Sequence, residues 1–223
     1  MRRRITISRR RAEDEGPGRK RRPGRHSLAV RSHAALGYTV VEIVFVAGLM
    51  VTLGGMAVPS LVSGLDDYRT VGAARYVSTR LQRARMEAVS RSTEVAMQFI
   101  QVGVGYSYAV YMDGDHNGVR TKDIQSGADP PVGSAERLPD HFGGVDFSVQ
   151  PGLPAVDGGA PPGNDPIRLG ASNMASFSPV GTATSGSVYI RGRSAQYVVR
   201  IFGATGKIRV LKFDQTARQW KPL

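Results

Sequence analysis

The sequence predicts an α+β chain, a long N-terminal helix packed on a C-terminal antiparallel β domain. Three observations predict it. From Val40 to Leu65 the only charged residue is Glu42. From Val71 to Ala88 apolar residues recur every three or four positions, the spacing of one helical face. After residue 93 the pattern becomes alternation among β-branched and aromatic residues, broken by glycine-containing turns, which marks strands.

The chain has 223 residues, with 30 Lys/Arg against 18 Asp/Glu, a net charge of +12. Residues 1–37 hold 12 of the bases and 3 of the acids, leaving a nearly balanced 18 and 15 for the remainder. The charge excess therefore sits ahead of the apolar run, on the side that the positive-inside rule assigns to the cytoplasm. It is weak grounds for DNA binding by the main domain. Residues 1–37 are rich in Arg, Gly and Pro without apolar periodicity and read as a disordered basic leader. The chain has no cysteine, which excludes a disulfide framework, thiolate metal ligands and a Cys nucleophile.

Residues 38–65 read as a transmembrane helix. The 26 residues from Val40 to Leu65 exceed the ~20 that span a bilayer. A cleaved secretory signal would have a shorter apolar core, and Met56-Ala57-Val58-Pro59 is a poor cleavage site. Pro59 removes a backbone donor and predicts a kink, with Gly54 and Gly55 softening the same place. Residues 66–92 read as the amphipathic half of the same helix. Val71, Ala74, Val77, Leu81, Ala84 and Ala88 form its stripe, with Arg69, Arg75, Arg80, Arg83 and Arg91 off it. Ser63-Gly64 is the one soft point, so a single helix runs from about Tyr38 to Arg91. Its second half covers a domain, and its first half protrudes into lipid or a neighbouring protein.

Residues 93–223 read as the β domain, in two sheets. Thr93–Ile100 and Tyr106–Asp113 are strands joined through the glycines of Gln101–Tyr106. Val145–Gln150 is another. A Gly/Pro/Asp-rich loop, 151–166, follows and is long enough to be mobile or functional. Strands over 175–181, 185–192, 195–203 and 206–214 complete the domain.

Gly37-Tyr-Thr-Val-Val-Glu42 resembles the prepilin cleavage and methylation motif of type IV pilins and type II secretion pseudopilins. Upstream basic residues, the junction glycine, Glu42 five residues on and a long apolar helix carrying Pro59 agree together. Residues 37–110 and 174–211 further resemble the GspH/FimT family of minor pilins and pseudopilins. The resemblance implies a pilin-like fold and a structural role, not an enzymatic one, in a type II secretion pseudopilus or a type IV pilus, near the filament tip. It implies that a prepilin peptidase cuts after Gly37 and methylates the new amino terminus of Tyr38. The subunit would wait in the bacterial inner membrane, N-terminus cytoplasmic and β domain periplasmic, before joining other pilins in a filament. Glu42 and Pro59 would then be assembly residues. A carboxylate at the centre of a bilayer costs about 2.5–3.5 kcal/mol, and pairing with a neighbour's terminal amine removes most of that. The alternative is an interfacial Glu42 that reaches the headgroups.

Two further patterns bear on ligands. Asp113, Asp115 and Asn117 alternate, Gly118 permits a sharp turn and Val119 can offer its carbonyl, as in the first half of an EF-hand calcium loop. Asp123 stands at position eleven where the pattern wants Glu at twelve. The competing reading is a β-turn on Asn117-Gly118, itself a hairpin signal. Calcium is the one cofactor the sequence suggests. In the last 33 residues Arg191, Arg193, Arg200, Lys207, Arg209, Lys212, Arg218 and Lys221 stand against one acid, Asp214. They are either a phosphate-binding face for DNA uptake, as in FimT-type minor pilins, or a solvated sheet face. His26, His33, His116 and His141 show no metal spacing, and no nucleophile–base pair stands out.

Overall fold

The structure, a computed structural model, describes residues 37–223, save the side chains of 56–60 within the first helix. The leader expected over 1–37 thus lies outside the described residues except for Gly37. The chain falls into two units, one ending at Val46 and the other Ala47–Leu223; the core belongs to the second.

Helix α1 is Val40–Arg91. Thr39 begins it: its Oγ1 accepts the N–H of Glu42 at 3.2 Å and its carbonyl accepts the N–H of Ile43 at 3.1 Å, an N-cap arrangement. The backbone stays α-helical across Gly54, Gly55 and Pro59. Of the expected stripe, Ala74, Val77, Leu81, Ala84 and Ala88 are buried and Val71 is half-buried. The buried line also starts earlier than expected, at Asp66 and Thr70. The transmembrane expectation for 38–65 is not met among the described residues, where no helix is long and apolar enough to cross a membrane.

Two antiparallel sheets follow. In the first, β1 (Val95–Val102) lies between β2 (Gly105–Met112) and β6 (Met174–Phe177), with β3 (Glu136–Arg137) outside β2. Val102 pairs with Gly105, so Gly103 and Val104 form a two-residue turn, with Gly103 at φ +63°. In the second, the order is β10 (Gln219–Pro222), β9 (Lys207–Asp214), β8 (Gln196–Phe202), β7 (Gly186–Arg191) and β4 (Asp146–Phe147). The two-residue β5 (Ile167–Arg168) pairs with β7 further along the same edge. Two short helices, α2 (Thr121–Ser126) and α3 (Leu138–His141), lie between β2 and β4.

Both sheets contribute to one core with α1. Phe99, Tyr108 and Phe177 come from the first, and Val188, Tyr197, Val199 and Ile201 from the second. On β8 the intervening Val198 faces the other way, into a cluster with Tyr189, Phe213, Val149 and Leu153. The loop 151–166, expected to be mobile or functional, sends Leu153 down onto the outer face of the second sheet. Asn117-Gly118 makes no hairpin: β2 ends at Met112 and its partners are β1 and β3.

Candidate functional site

The first candidate is the start of α1. Tyr38, Val40, Val41, Ile43, Val44 and Phe45 are all exposed. Glu42 lies in the first turn, where a carboxylate is favoured by the positive end of the helix dipole. Its backbone N–H is engaged by the Thr39 hydroxyl, so Thr39 stands at the N-cap and Glu42 at N3. That N-cap role of Thr39 escaped sequence reading, though Thr-Val-Val-Glu was its signal.

Where α1 turns amphipathic, two adjacent acids tie it to the second sheet. Asp66 Oδ1 accepts the Arg193 N–H at 2.8 Å, and Oδ2 accepts the N–H of Ser194 at 2.7 Å, its hydroxyl at 2.8 Å and the N–H of Ala195 at 3.3 Å. Burial pushes the Asp66 carboxyl up, and these donors outweigh it, holding the pKa below the ordinary value. A Cβ on Gly192 would stand 2.2 Å from Thr70 Oγ1 and 2.7 Å from Asp66 Oδ1, so only glycine fits the β7–β8 turn against this helix. Asp67 receives the Tyr197 hydroxyl at 2.8 Å and Lys212 Nζ at 2.8 Å.

Glu136 ties the other sheet to α1. Its Oε2 accepts the hydroxyls of Tyr76 at 2.6 Å and Tyr108 at 3.1 Å, and Arg80 bonds its Oε1. Burial raises its pKa, but the two tyrosines, Arg80 and His141 together lower it. Tyr108, buried beside this carboxylate, is pushed far upward. An isolated acid in Ser-Ala-Glu-Arg-Leu carries no sequence signal for such a role.

In the acidic loop the structure brings Asp113 and Asp115 together with Asp129, which sequence reading missed. Asn117 donates its N–H to Asp115 Oδ1 at 3.3 Å and its side-chain amide to Oδ2. Val119 is buried and gives its N–H to Glu94 Oε1 at 3.2 Å. Asp123 stands in the first turn of α2, outside the three-carboxylate group.

The C-terminal bases divide. Arg200 pairs in register with Arg209, and Phe202 with Lys207; the two guanidiniums lie 5.8 and 5.6 Å from the Phe202 ring. Arg200 is ion-paired to Asp157. Arg191 shares that sheet face, opposite Gln196. Lys212 is on the opposite face, over the Tyr197 ring and paired to Asp67. Arg193 belongs to the β7–β8 turn, Arg218 bonds the Gly152 carbonyl at 3.1 Å, and Lys221 pairs with Asp214 at 2.6 Å.

A helix with an exposed apolar start and an amphipathic second half, closing the core of two antiparallel sheets, defines a pilin-like subunit. The sequence model described as type II transport protein GspH matches residues 73–205, more than half of the chain, and the chain belongs to the GspH family. It is also 34% identical over 84 residues to the pilin-like protein PilA1 of Thermus thermophilus, a match covering 36% of this chain and 50% of that relative. The chain thus spans about half the length of that relative. No solved structure matches.

Proposed function

We infer that the chain is a minor subunit of a type II secretion pseudopilus or type IV pilus. In this reading it is processed after Gly37, methylated on Tyr38, held in the inner membrane by its first helix with the β domain outside, and then drawn into a filament. The observation that carries this is the exposure, on every side, of the apolar residues at the start of α1, Val40 to Leu53. Val40, Val41, Leu53 and Met50 are each exposed, yet at 3.6 residues per turn they lie at about 0°, 100°, 220° and 280° around the helix. Burying a side chain of this kind is worth about 1.5–3 kcal/mol. A helix apolar on every side needs a cover on every side, and lipid followed by a bundle of like helices supplies it. The full run to Leu65 in the sequence supports the lipid stage, and Glu42 at its start suits a charge that pairs with a neighbour's terminal amine.

A role in DNA uptake has less behind it. Arg200 and Lys212 are already paired to Asp157 and Asp67, and the bases fall on two faces of the sheet.

The absence of cysteine from the sequence makes a clean test available. Val51→Cys places one thiol on the exposed apolar half, and a bismaleimide applied to cells that carry the native assembly machinery should join it to a neighbouring subunit bearing a matching cysteine. The same thiol at Val104, on the β1–β2 turn, is the control for chance collisions. Cross-links at Val104 but none at Val51 would reject the buried-bundle reading.

A further inference from the structure

We propose that the segment between β2 and β3 holds a calcium site whose carboxylates are Asp113 and Asp115, ahead of α2, and Asp129, behind it. Each offers an oxygen, and these oxygens lie within 4.8 Å of one another. None of the three, nor the adjacent Glu94, takes part in an ion pair among the described residues. Like charges this close, two of them on buried residues, are mutually unfavourable without a cation.

The second observation is at Asp113, which is only 6% exposed. Its Oδ2 accepts the Gly118 N–H at 2.9 Å, but its Oδ1 is buried with no donor. Buried acceptors are nearly always satisfied, and an ionised one left empty is the least favourable kind. Asp129, 1% exposed, is held by the N–H of Gly114 on Oδ1 and of Arg120 on Oδ2, both at 3.1 Å. Each of those oxygens keeps a lone pair for a metal.

The backbone fixes the spacing of the three. A Cβ on Gly114 would stand 2.1 Å from the Ala128 carbonyl oxygen, so the two arms of the site are in direct backbone contact and residue 114 must be glycine. Asp113 gives its N–H to the Glu94 carbonyl at 2.9 Å, and Asp129 gives its own to the Asp123 carbonyl at 3.1 Å. Asp123 therefore contributes to the site through its main chain, by positioning Asp129. The donor set is all oxygen, which selects a hard cation. Calcium accepts irregular coordination from carboxylates, carbonyls and water, whereas magnesium demands an octahedron and keeps its waters. Asp115 is exposed, leaving the site open to solvent and to exchange. Bound calcium would clamp the excursion after β2 to the end of α1, because Thr93, two residues past that helix, already donates its hydroxyl to the Asp113 carbonyl at 3.1 Å. The proposal stands on these side chains alone and is independent of the filament reading.

The test is equilibrium dialysis of the full-length chain in detergent micelles, stripped with EGTA and titrated with radiolabelled calcium. One calcium per chain is expected, with a Kd in the 10⁻⁴–10⁻³ M range, about that of extracellular calcium modules. At ten times the Kd, calcium should raise the melting temperature by about 3–6 °C. Asp115→Asn, at an exposed position that leaves the fold intact, should weaken binding at least tenfold. Asp129→Asn should do the same; if it fails to fold, Asp115→Asn decides alone. No binding up to about 5 mM, well above that range, or Asp115→Asn binding as tightly as the native chain, would overturn the site. Displacement by magnesium at equal concentration would overturn its assignment to calcium.

Discussion

Asp66→Ala should separate the β7–β8 turn from the helix. Asp66 receives four hydrogen bonds at 2.7–3.3 Å from Arg193, Ser194 and Ala195. Hydrogen bonds to a charged group contribute about 1.5–3 kcal/mol each when deleted singly. They do not add, since the exposed Arg193 and Ser194 amides would turn to water. The N–H of buried Ala195 would stay unsatisfied, which alone costs about 1–3 kcal/mol. The expected net loss is about 2–4 kcal/mol. At about 2–4 °C per kcal/mol for a domain of this size, the melting temperature should fall by about 4–16 °C, read by near-UV circular dichroism of the full chain in detergent. Asp66→Asn keeps the shape and removes the charge, so it should lose part of this. The pH dependence has a definite sign. The folded pKa of Asp66 lies below the ordinary value, so its contribution is complete above about 3.9, the unfolded value, and is lost as pH falls through the folded one. The native chain should lose this increment in acid, and Asp66→Asn should not. Both variants melting within about 1 °C of the native chain, less than half a kcal/mol, would refute the anchor.

Gly192→Ala should destabilise by about 1–3 kcal/mol, the range for overpacking, because its methyl would meet Thr70 and Asp66; a melt within error of the native chain contradicts this. Glu136→Gln should lower stability by about 1–3 kcal/mol through the weakened partner of the buried Tyr108 hydroxyl, and should remove a component of acid sensitivity of the same sign as that of Asp66. Leu81→Ala, at a fully buried position, should cost about 2–5 kcal/mol by denaturant titration. Lys212→Ala, whose ion pair with Asp67 is well exposed to solvent, should cost no more than about 1 kcal/mol and leave any DNA affinity unchanged. Glu42→Gln keeps the side-chain shape but not the charge, and the Thr39 cap is untouched, so the helix should start normally while incorporation into filaments falls; normal incorporation would contradict a role for the Glu42 charge in assembly.

The helix was legible from two signals, an unbroken apolar run in its first half and, from Val71 to Ala88, apolar side chains at three- and four-residue spacing, which have one geometric meaning. Alternation gave the long strands β1, β2, β7, β8 and β9 for the same reason. β3, β4 and β5 have two residues each, too few to show a period, and Val145–Gln150 was read as a longer strand than the pairing at Asp146–Phe147. The Asp66–Thr70 start of the buried stripe was missed because the reading followed apolar residues only, although 66, 70, 74, 77 and 81 keep the helical spacing. At the acidic loop the sequence supplied Asp113 and Asp115 but assumed one continuous loop to Asp123. Helix α2 intervenes, and the chain returns only after Gly127, at φ +83°, to deliver Asp129. The spread of bases near the C-terminus looked like one patch because strand order and face were not yet known.

The most direct measurement is the mass of the first peptide of the chain extracted from membranes of cells with an active prepilin peptidase. The account predicts that it begins at Tyr38 and carries one methyl group on its amino terminus. A chain that still contains residues ahead of Gly37 would contradict it.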